Sequence, residues 1–517
     1  MVLFEWMLVL LVGAVVLAKL AQRLKIPYPV FLALGGAALS FLPGAPRLRL
    51  EPDLALALFV APVLLDAAFD TSLRDLKENA APVAGLVLAA VGLTTAVVAV
   101  VVHALQPDIP WAAAVALGAI VAPPDAAAAT AVLRSLHPPH RILLILEGES
   151  LLNDASALLI YRTAVAAVGG GLTLAGTAPT FALVLVGSLV AGYAMSRLFS
   201  AFANQFGDAP STIILQFAGT FGVWILAERI GLSPILTVVA FAMTAARRAP
   251  RRTRAAMRVP SYAVWDTAVF LLNTLAFLLV GLQIGPILAP LDAATRGQYL
   301  AVAGAVLLTV ILVRIAWVMA YNTGVRLKNR WFGVDLPRPM LVPSVRSGMI
   351  VSWAGMRGIV TLAAALALPV NGPDGAFPYR DLIVLVAFTV VLGTLVLQGL
   401  TLGPLLVALR LTDDNPVERE VRLARAATAK AGLKALEGDA SEEAESLRHE
   451  LHRICEGAVA ASDGDGRLES PRRDVRRRAL EAQRDKLWAL RQQGVIGDHA
   501  YHRLEEEFDW TELESSL

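Results

Sequence analysis

A single cysteine, Cys455, stands in 517 residues, so neither an internal disulfide framework nor a multi-cysteine metal site can form. Its polar surroundings suit a small packing residue better than a reactive thiol. Charge is scarce too: 17% of residues are Asp, Glu, Lys or Arg, against about a quarter in an ordinary soluble domain. The seven histidines (His103, His137, His140, His449, His452, His499 and His502) all fall outside the long apolar runs or at their ends. No base is therefore placed to activate Ser150 in Gly148-Glu149-Ser150, and no helix carries a two-histidine metal motif. An intramembrane hydrolase is the reading this removes, and the chain is not read as an enzyme. The N-terminus lacks the basic n-region and small-residue cleavage site of a secretory signal, so its first apolar stretch reads as a retained span.

What is abundant is apolar length. Hydrophobic residues make up 56% of the chain, gathered in runs of about 16–25 residues, the length of a membrane-crossing helix. Strand-like alternation is missing, so the spans must be helices that satisfy their own backbone groups. Thirteen segments result, near 3–20, 28–43, 54–69, 82–105, 111–133, 143–168, 181–203, 211–227, 232–246, 262–283, 299–322, 347–370 and 381–408. With the N-terminus outside, the loops assigned to the cytoplasm carry several times the Lys/Arg of the opposite loops, whose basic residues are Arg47, Arg49, Arg229, Arg296 and Arg380. That asymmetry follows the positive-inside rule and places the C-terminus in the cytoplasm. The basic stretch at 247–258 then reads as a topogenic loop facing lipid headgroups, and no nucleic-acid partner is expected.

Charge divides the chain in two. Residues 411–517 hold 17 of the 45 Lys/Arg and 24 of the 43 Asp/Glu. The expectation is a transmembrane domain over 1–410 and a cytoplasmic helical tail over 411–517, with helical patterns at 417–436 and 472–495. The tail is expected to be regulatory or dimer-supporting, with no ligand assigned.

Ionisable side chains inside a bilayer cost about 2.5–3.5 kcal/mol each on insertion scales, so those retained there are functional candidates. Counting 1.5 Å per residue from the span ends puts Asp125 about 21 Å, Asp154 about 17 Å and Arg357 about 14 Å deep, near the middle of a hydrocarbon core about 30 Å thick. Asp125 follows Pro123 and Pro124, which lack N–H donors and should open the helix. Arg357 sits in Gly355-Met356-Arg357-Gly358, again loosely wound. Two broken spans, one in each half of the chain, point to a transporter built from inverted repeats. In the sixth span Glu147, Ser150 and Asp154 share one helical stripe and Glu149 with Asn153 the next. Asp154, Asn153 and Ser150 offer hard oxygen donors for a small alkali cation, and a carboxylate oxygen can hold either that cation or a proton. Arg357 is expected to neutralise Glu149, leaving Asp154 to titrate. Asp66 and Arg314 also lie deep, but without a motif around them they read as helix-packing partners.

The stretches GAIVAPPDAAAATAVL, ILEGESLLNDASALLIYRTAV and SWAGMRGIVTLAAALALP resemble the signature helices of bacterial NhaP-type members of the monovalent cation:proton antiporter-1 family, and AVFLLNTLAFLLVGLQI is similar to the corresponding tenth helix. The likeness runs over about residues 5–408. It implies an all-α fold of thirteen helices with two crossed, unwound helices, a homodimer in the inner cell membrane, and exchange of Na⁺ or Li⁺ for H⁺, with K⁺ exchange by the same fold as the alternative. No cofactor is implied; the ions are cargo. Residue by residue, it makes Asp154 the cation and proton site, Asp125 its coordinating neighbour, Ser150 a ligand, and Glu149 with Arg357 a stabilising ion pair. Asn153 before Asp154 implies electroneutral one-for-one exchange. Many relatives place threonine before the aspartate of the fifth span; here Pro124 offers a carbonyl and no hydroxyl.

Overall fold

The computed structural model describes residues 2–24, 26–42, 51–133, 138–168, 174–203, 205–247, 255–332, 344–370, 377–411, 416–438, 441–460 and 482–487, with a few isolated positions beyond. Among them all regular structure is helical. The first unit, Met1–Asp414, begins with α1 (Val2–Leu24) and α2 (Tyr28–Ser40). Next come α3 (52–70), α4 (Leu73–Glu78) and α5 (Ala80–Leu105). The fifth apolar run is two pieces, α6 (Trp111–Val121) and α7 (Ala126–Leu133). The order continues with α8 (His140–Val168), α9 (Leu174–Ala203), α10 (Ala209–Arg229), α11 (Pro234–Ala246), α12 (Ala255–Leu282) and α13 (Ile284–Leu288). The unit closes with α14 (Ala293–Phe332), the pair α15 (Val345–Trp353) and α16 (Ile359–Leu366), and α17 (Arg380–Leu409).

Seven helices among the described residues are long and apolar enough to cross a membrane. They lie in α1, α5, α9, α10, α12, α14 and α17, with α2, α6 and α11 as shorter apolar helices. The 29-residue α8 is long enough but carries Glu147, Glu149 and Asp154 along its length. It packs against α6, α7 and α3.

Close approach is made by small residues, as expected where lipid removes any hydrophobic drive between helices. A Cβ at Gly36 of α2 would run into the Leu278 carbonyl of α12, and one at Gly281 of α12 into the Ala33 carbonyl of α2. Any side chain at either glycine would push the two helices apart. Both α3 and α5 contain a π-helical turn, at Leu56–Val60 and Gly85–Ala90. Such turns shift the hydrogen-bond register and expose carbonyls. In α5 the exposed Val87 carbonyl accepts from Ser156 of α8 at 2.8 Å.

Outside the spans, α10 starts with a side-chain cap: the Ser211 N–H donates to Asp208 Oδ2 at 2.8 Å. Hydrogen bonds from Ser211 hold the Asp208 carboxyl below its ordinary value. A depressed folded value stabilises at neutral pH, and that contribution is lost as pH falls from about 3.9 through the lower folded value. The protection of the Ser211 amide, measured against its intrinsic exchange rate at each pH, is expected to fall below about pH 4, and Asp208→Asn should remove that pH dependence.

The second unit, Asn415–Leu517, begins four residues after the tail start expected at 411. Within it α18 (Pro416–Ala435) and α19 (Glu442–Ala460) form an antiparallel hairpin. The turn uses Gly438 at φ +91°, a left-handed conformation that glycine takes without penalty. Cys455 donates to the Ala426 carbonyl at 3.7 Å and packs between the helices. Helix α18 falls on the pattern at 417–436; the pattern at 472–495 lies mostly outside the described residues.

Candidate ion site at the crossing of two broken helices

Pro123 and Pro124 stop α6 because neither can donate to the preceding turn. The chain restarts at α7, whose first turn is held by the carboxylate of Asp125: the Ala127 N–H donates to Asp125 Oδ1 at 2.8 Å. An aspartate in this position satisfies one of the donors that every helix start leaves open. The second break is made by Ala354–Gly358, between α15 and α16. The two breaks touch through their backbones, with the Asp125 N–H donating to the Met356 carbonyl at 2.7 Å. At Gly358 the backbone is extended (φ −126°, ψ −157°), and a Cβ there would collide with the Asp125 carboxylate. Glycine is required at 358 for space, not for conformation.

Arg357 is buried to 1% exposure and does not pair with Glu149. Its Nε donates to the Val121 carbonyl at 3.0 Å, one terminal nitrogen to the Ala122 carbonyl at 3.2 Å, and the other to the carbonyl of Gly355. Its backbone N–H donates to Thr394 Oγ1 of α17 at 3.0 Å. The guanidinium thus takes up carbonyls left open where α6 ends, since the Asp125 N–H that would continue the helix onto Val121 goes to Met356 instead, and the helix dipole there also favours a cation.

The partner of Glu149 is Arg314 of α14. Two parallel bonds join them, at 2.6 and 2.8 Å, the bidentate geometry a guanidinium fork makes with a carboxylate. Arg314 also donates to the Val351 carbonyl near the C-terminus of α15, at 3.1 and 3.3 Å. The expected Glu149–Arg357 pair is therefore corrected. The carbonyls of two broken helix ends lie nearer Arg357, and Arg314, read as a packing residue, is the counter-charge. The available signal was stoichiometric: an arginine inside a 40-residue apolar helix needs an acid, and Glu149 was the acid of matching depth.

Asn153 is wholly buried and donates its side-chain N–H to the Pro124 carbonyl at 2.8 Å. That bond fixes the amide's orientation and leaves Asn153 Oδ1 buried with no partner among the described residues. Asp154 is 8% exposed, and its carboxylate and that of Asp125 interact electrostatically. Ser150 stands one helical turn before Asp154 and is half-buried. The crossing thus gathers Asp125, Asn153, Asp154 and Pro124. Glu149 and Arg357 are each engaged by other groups. Asp66 lines a separate cavity of about 870 Å³ with Asp70, Arg258 and Asp266.

Two broken helices that touch at their breaks, with arginines on the C-terminal carbonyls of α6 and α15 and the carboxylates of Asp125 and Asp154 at the crossing, form the arrangement of a secondary ion transporter. Comparison with known proteins makes this specific. The sodium/hydrogen exchanger transmembrane family model matches residues 7–408. The uncharacterized Na⁺/H⁺ exchanger YjcE of Escherichia coli is 31% identical over 94% of each chain. The sodium, potassium, lithium and rubidium/H⁺ antiporter of Bacillus subtilis is 31% identical over 94% of this chain and 74% of its own. The solved structure of the sodium proton antiporter MjNhaP1 from Methanocaldococcus jannaschii has the same fold, with a TM-score of 0.59, 18% identity, and coverage of 78% of this chain and 98% of that one. This chain belongs to the sodium/hydrogen exchanger family, whose members are multi-pass membrane antiporters.

Proposed function

We propose that the chain exchanges Na⁺ for H⁺ one for one, with both ions competing for the carboxylate of Asp154 as access alternates between the two sides. The observation that carries this reading is the free Asn153 Oδ1, a hard acceptor one residue before Asp154 in α8, buried at the crossing while the amide N–H is tied to Pro124. An oxygen buried without a donor is costly, and a partly dehydrated alkali cation relieves that cost. Asp154, Asn153 and Asp125 supply oxygens to the cation, with Ser150 as a further ligand. When the proton replaces the cation, Asp154 becomes neutral and the site carries the same charge in both loaded forms. Asn at 153 leaves one exchangeable charge per cycle, which makes the exchange electroneutral.

The Bacillus subtilis relative's name includes potassium, lithium and rubidium, and at 124 a proline carbonyl stands where a hydroxyl could narrow ion choice. The cation range of this chain therefore extends to Li⁺ and K⁺ in the same reading. The chain works in the inner cell membrane as a homodimer with the N-terminus outside, an orientation supported by the basic loops. No resident cofactor is called for.

Purified protein in vesicles holding a pH-sensitive dye tests this directly. An imposed Na⁺ gradient should change the internal pH, equally well with the membrane potential clamped to zero. Asp154→Asn should reduce that signal to the level of empty vesicles while the protein still elutes as a folded species. No pH change with Na⁺, Li⁺ or K⁺ would sink the antiport reading, and exchange surviving in Asp154→Asn would remove Asp154 from its centre.

A further inference from the structure

Helix α17 presents one stripe, Thr394, Gln398 and Thr401, to the break between α15 and α16, the three residues being spaced four and three apart. One end of the stripe is bonded to that break and the other to the last residue of α15 beside it. Thr394 Oγ1 accepts from the Arg357 N–H at 3.0 Å, and Thr401 Oγ1 accepts from Trp353 Nε1 at 2.8 Å. Between them a Cβ on Gly399 would contact the sulfur of Met356, so α17 lies directly on the unwound segment. Gln398, in the middle of the stripe, is fully buried at 0% exposure, yet neither its amide nitrogen nor its amide oxygen has a partner among the described residues. A side chain with two donors and an acceptor is thus carried unsatisfied into the core, at the place where helical hydrogen bonds are interrupted. An apolar residue of the same volume would fit this arrangement better. A group that burdens one state of a two-state machine and pairs in the other shifts the balance between them.

We infer that Gln398 is a positioning residue of the transport cycle, its amide bonding the backbone of the Ala354–Gly358 break in the access state opposite to the one described here. The inference rests on the alternating-access reading proposed above. In that opposite state the break shifts along α17 and exchanges its bonding to Thr394 for bonding to Gln398.

The test is Gln398→Met, which keeps length and volume and removes the hydrogen bonds, with Gln398→Leu beside it. Both are measured in vesicles for Na⁺-driven proton movement and in detergent for thermal unfolding, with wild type and Asp154→Asn as references. The expected result is a melting temperature equal to or above wild type, a maximal exchange rate at least fivefold lower, and an apparent KM for Na⁺ changed by less than twofold. A structural amide, satisfied in the state seen here, would instead lower the melting temperature, and that outcome overturns the inference. Wild-type exchange rates in Gln398→Met overturn it as well, while leaving the antiport reading intact. A silent wild type, or an active Asp154→Asn, brings down the antiport reading first and this inference with it.

Discussion

Gly358→Ala is expected to lower Na⁺-driven exchange by about two orders of magnitude, the scale on which a displacement of about 1 Å disables a preorganised site. Alanine tolerates the extended backbone at 358, so the lesion is a collision: the new methyl would enter the space of the Asp125 carboxylate. That carboxylate has no free route of escape. Its Oδ1 holds the first turn of α7 through Ala127, and its backbone N–H is tied to Met356 across the crossing. If the side chain swings aside, α7 loses its cap, typically worth about 1 kcal/mol. If the breaks separate, the Asp125–Met356 bond is lost and the three carbonyls gathered by Arg357 drift out of reach. A second substitution tells collision from general damage. Gly358→Ala combined with Asp125→Ser should regain the melting temperature of Asp125→Ser alone, because the shorter side chain clears the methyl, and should remain inactive. A double variant no more stable than Gly358→Ala would show that the crowding at 358 is not with Asp125.

Much of this arrangement could be read from the chain before any coordinates. Apolar run length and the absence of alternation gave the helical class, because a bilayer leaves backbone groups no alternative. Pro123-Pro124 and Gly355–Gly358 located both breaks, since missing donors and loosely wound glycines act locally. Depth along the spans put Asp125, Asp154 and Arg357 on one level. Pairing was less legible. Which acid meets which arginine depends on how α8, α14 and α15 rotate about their own axes, and no local pattern around Arg314 records that rotation. Arg357 looked like a counter-charge because carboxylates are the usual partners of a buried guanidinium; the stranded carbonyls of Val121 and Ala122 competed for it and won. Asn153 was legible as a polar neighbour of Asp154, but its bond to Pro124 was not. The role of Gly358 as a space for Asp125 also required the crossing itself. The same physics explains all of these: each half-helix end must find donors or cations, and the sequence names the candidates without assigning them.

The assignment of Arg314 to Glu149 carries the other large prediction. Either Glu149→Gln or Arg314→Met alone leaves a charge with 1–3% exposure and no counter-ion, a change that costs about 3–5 kcal/mol when a buried pair is broken from one side. Each single variant should therefore unfold far more easily in detergent and insert poorly. The double variant Glu149→Gln with Arg314→Met removes both charges and should recover most of the loss, giving a coupling of at least about 2 kcal/mol in a double-mutant cycle of unfolding free energies. The parallel cycle with Arg357→Met should show no such recovery, since Arg357 serves the carbonyls of Val121, Ala122 and Gly355. Coupling of Glu149 to Arg357 and not to Arg314 would reverse the assignment. The recovered double variant is also informative in transport, because Arg314 holds the Val351 carbonyl of α15 as well as Glu149. With the charges gone but α15 no longer tied to α8 through Arg314, the protein should fold and still exchange ions more slowly than wild type, which separates the pair's contribution to stability from its hold on the break.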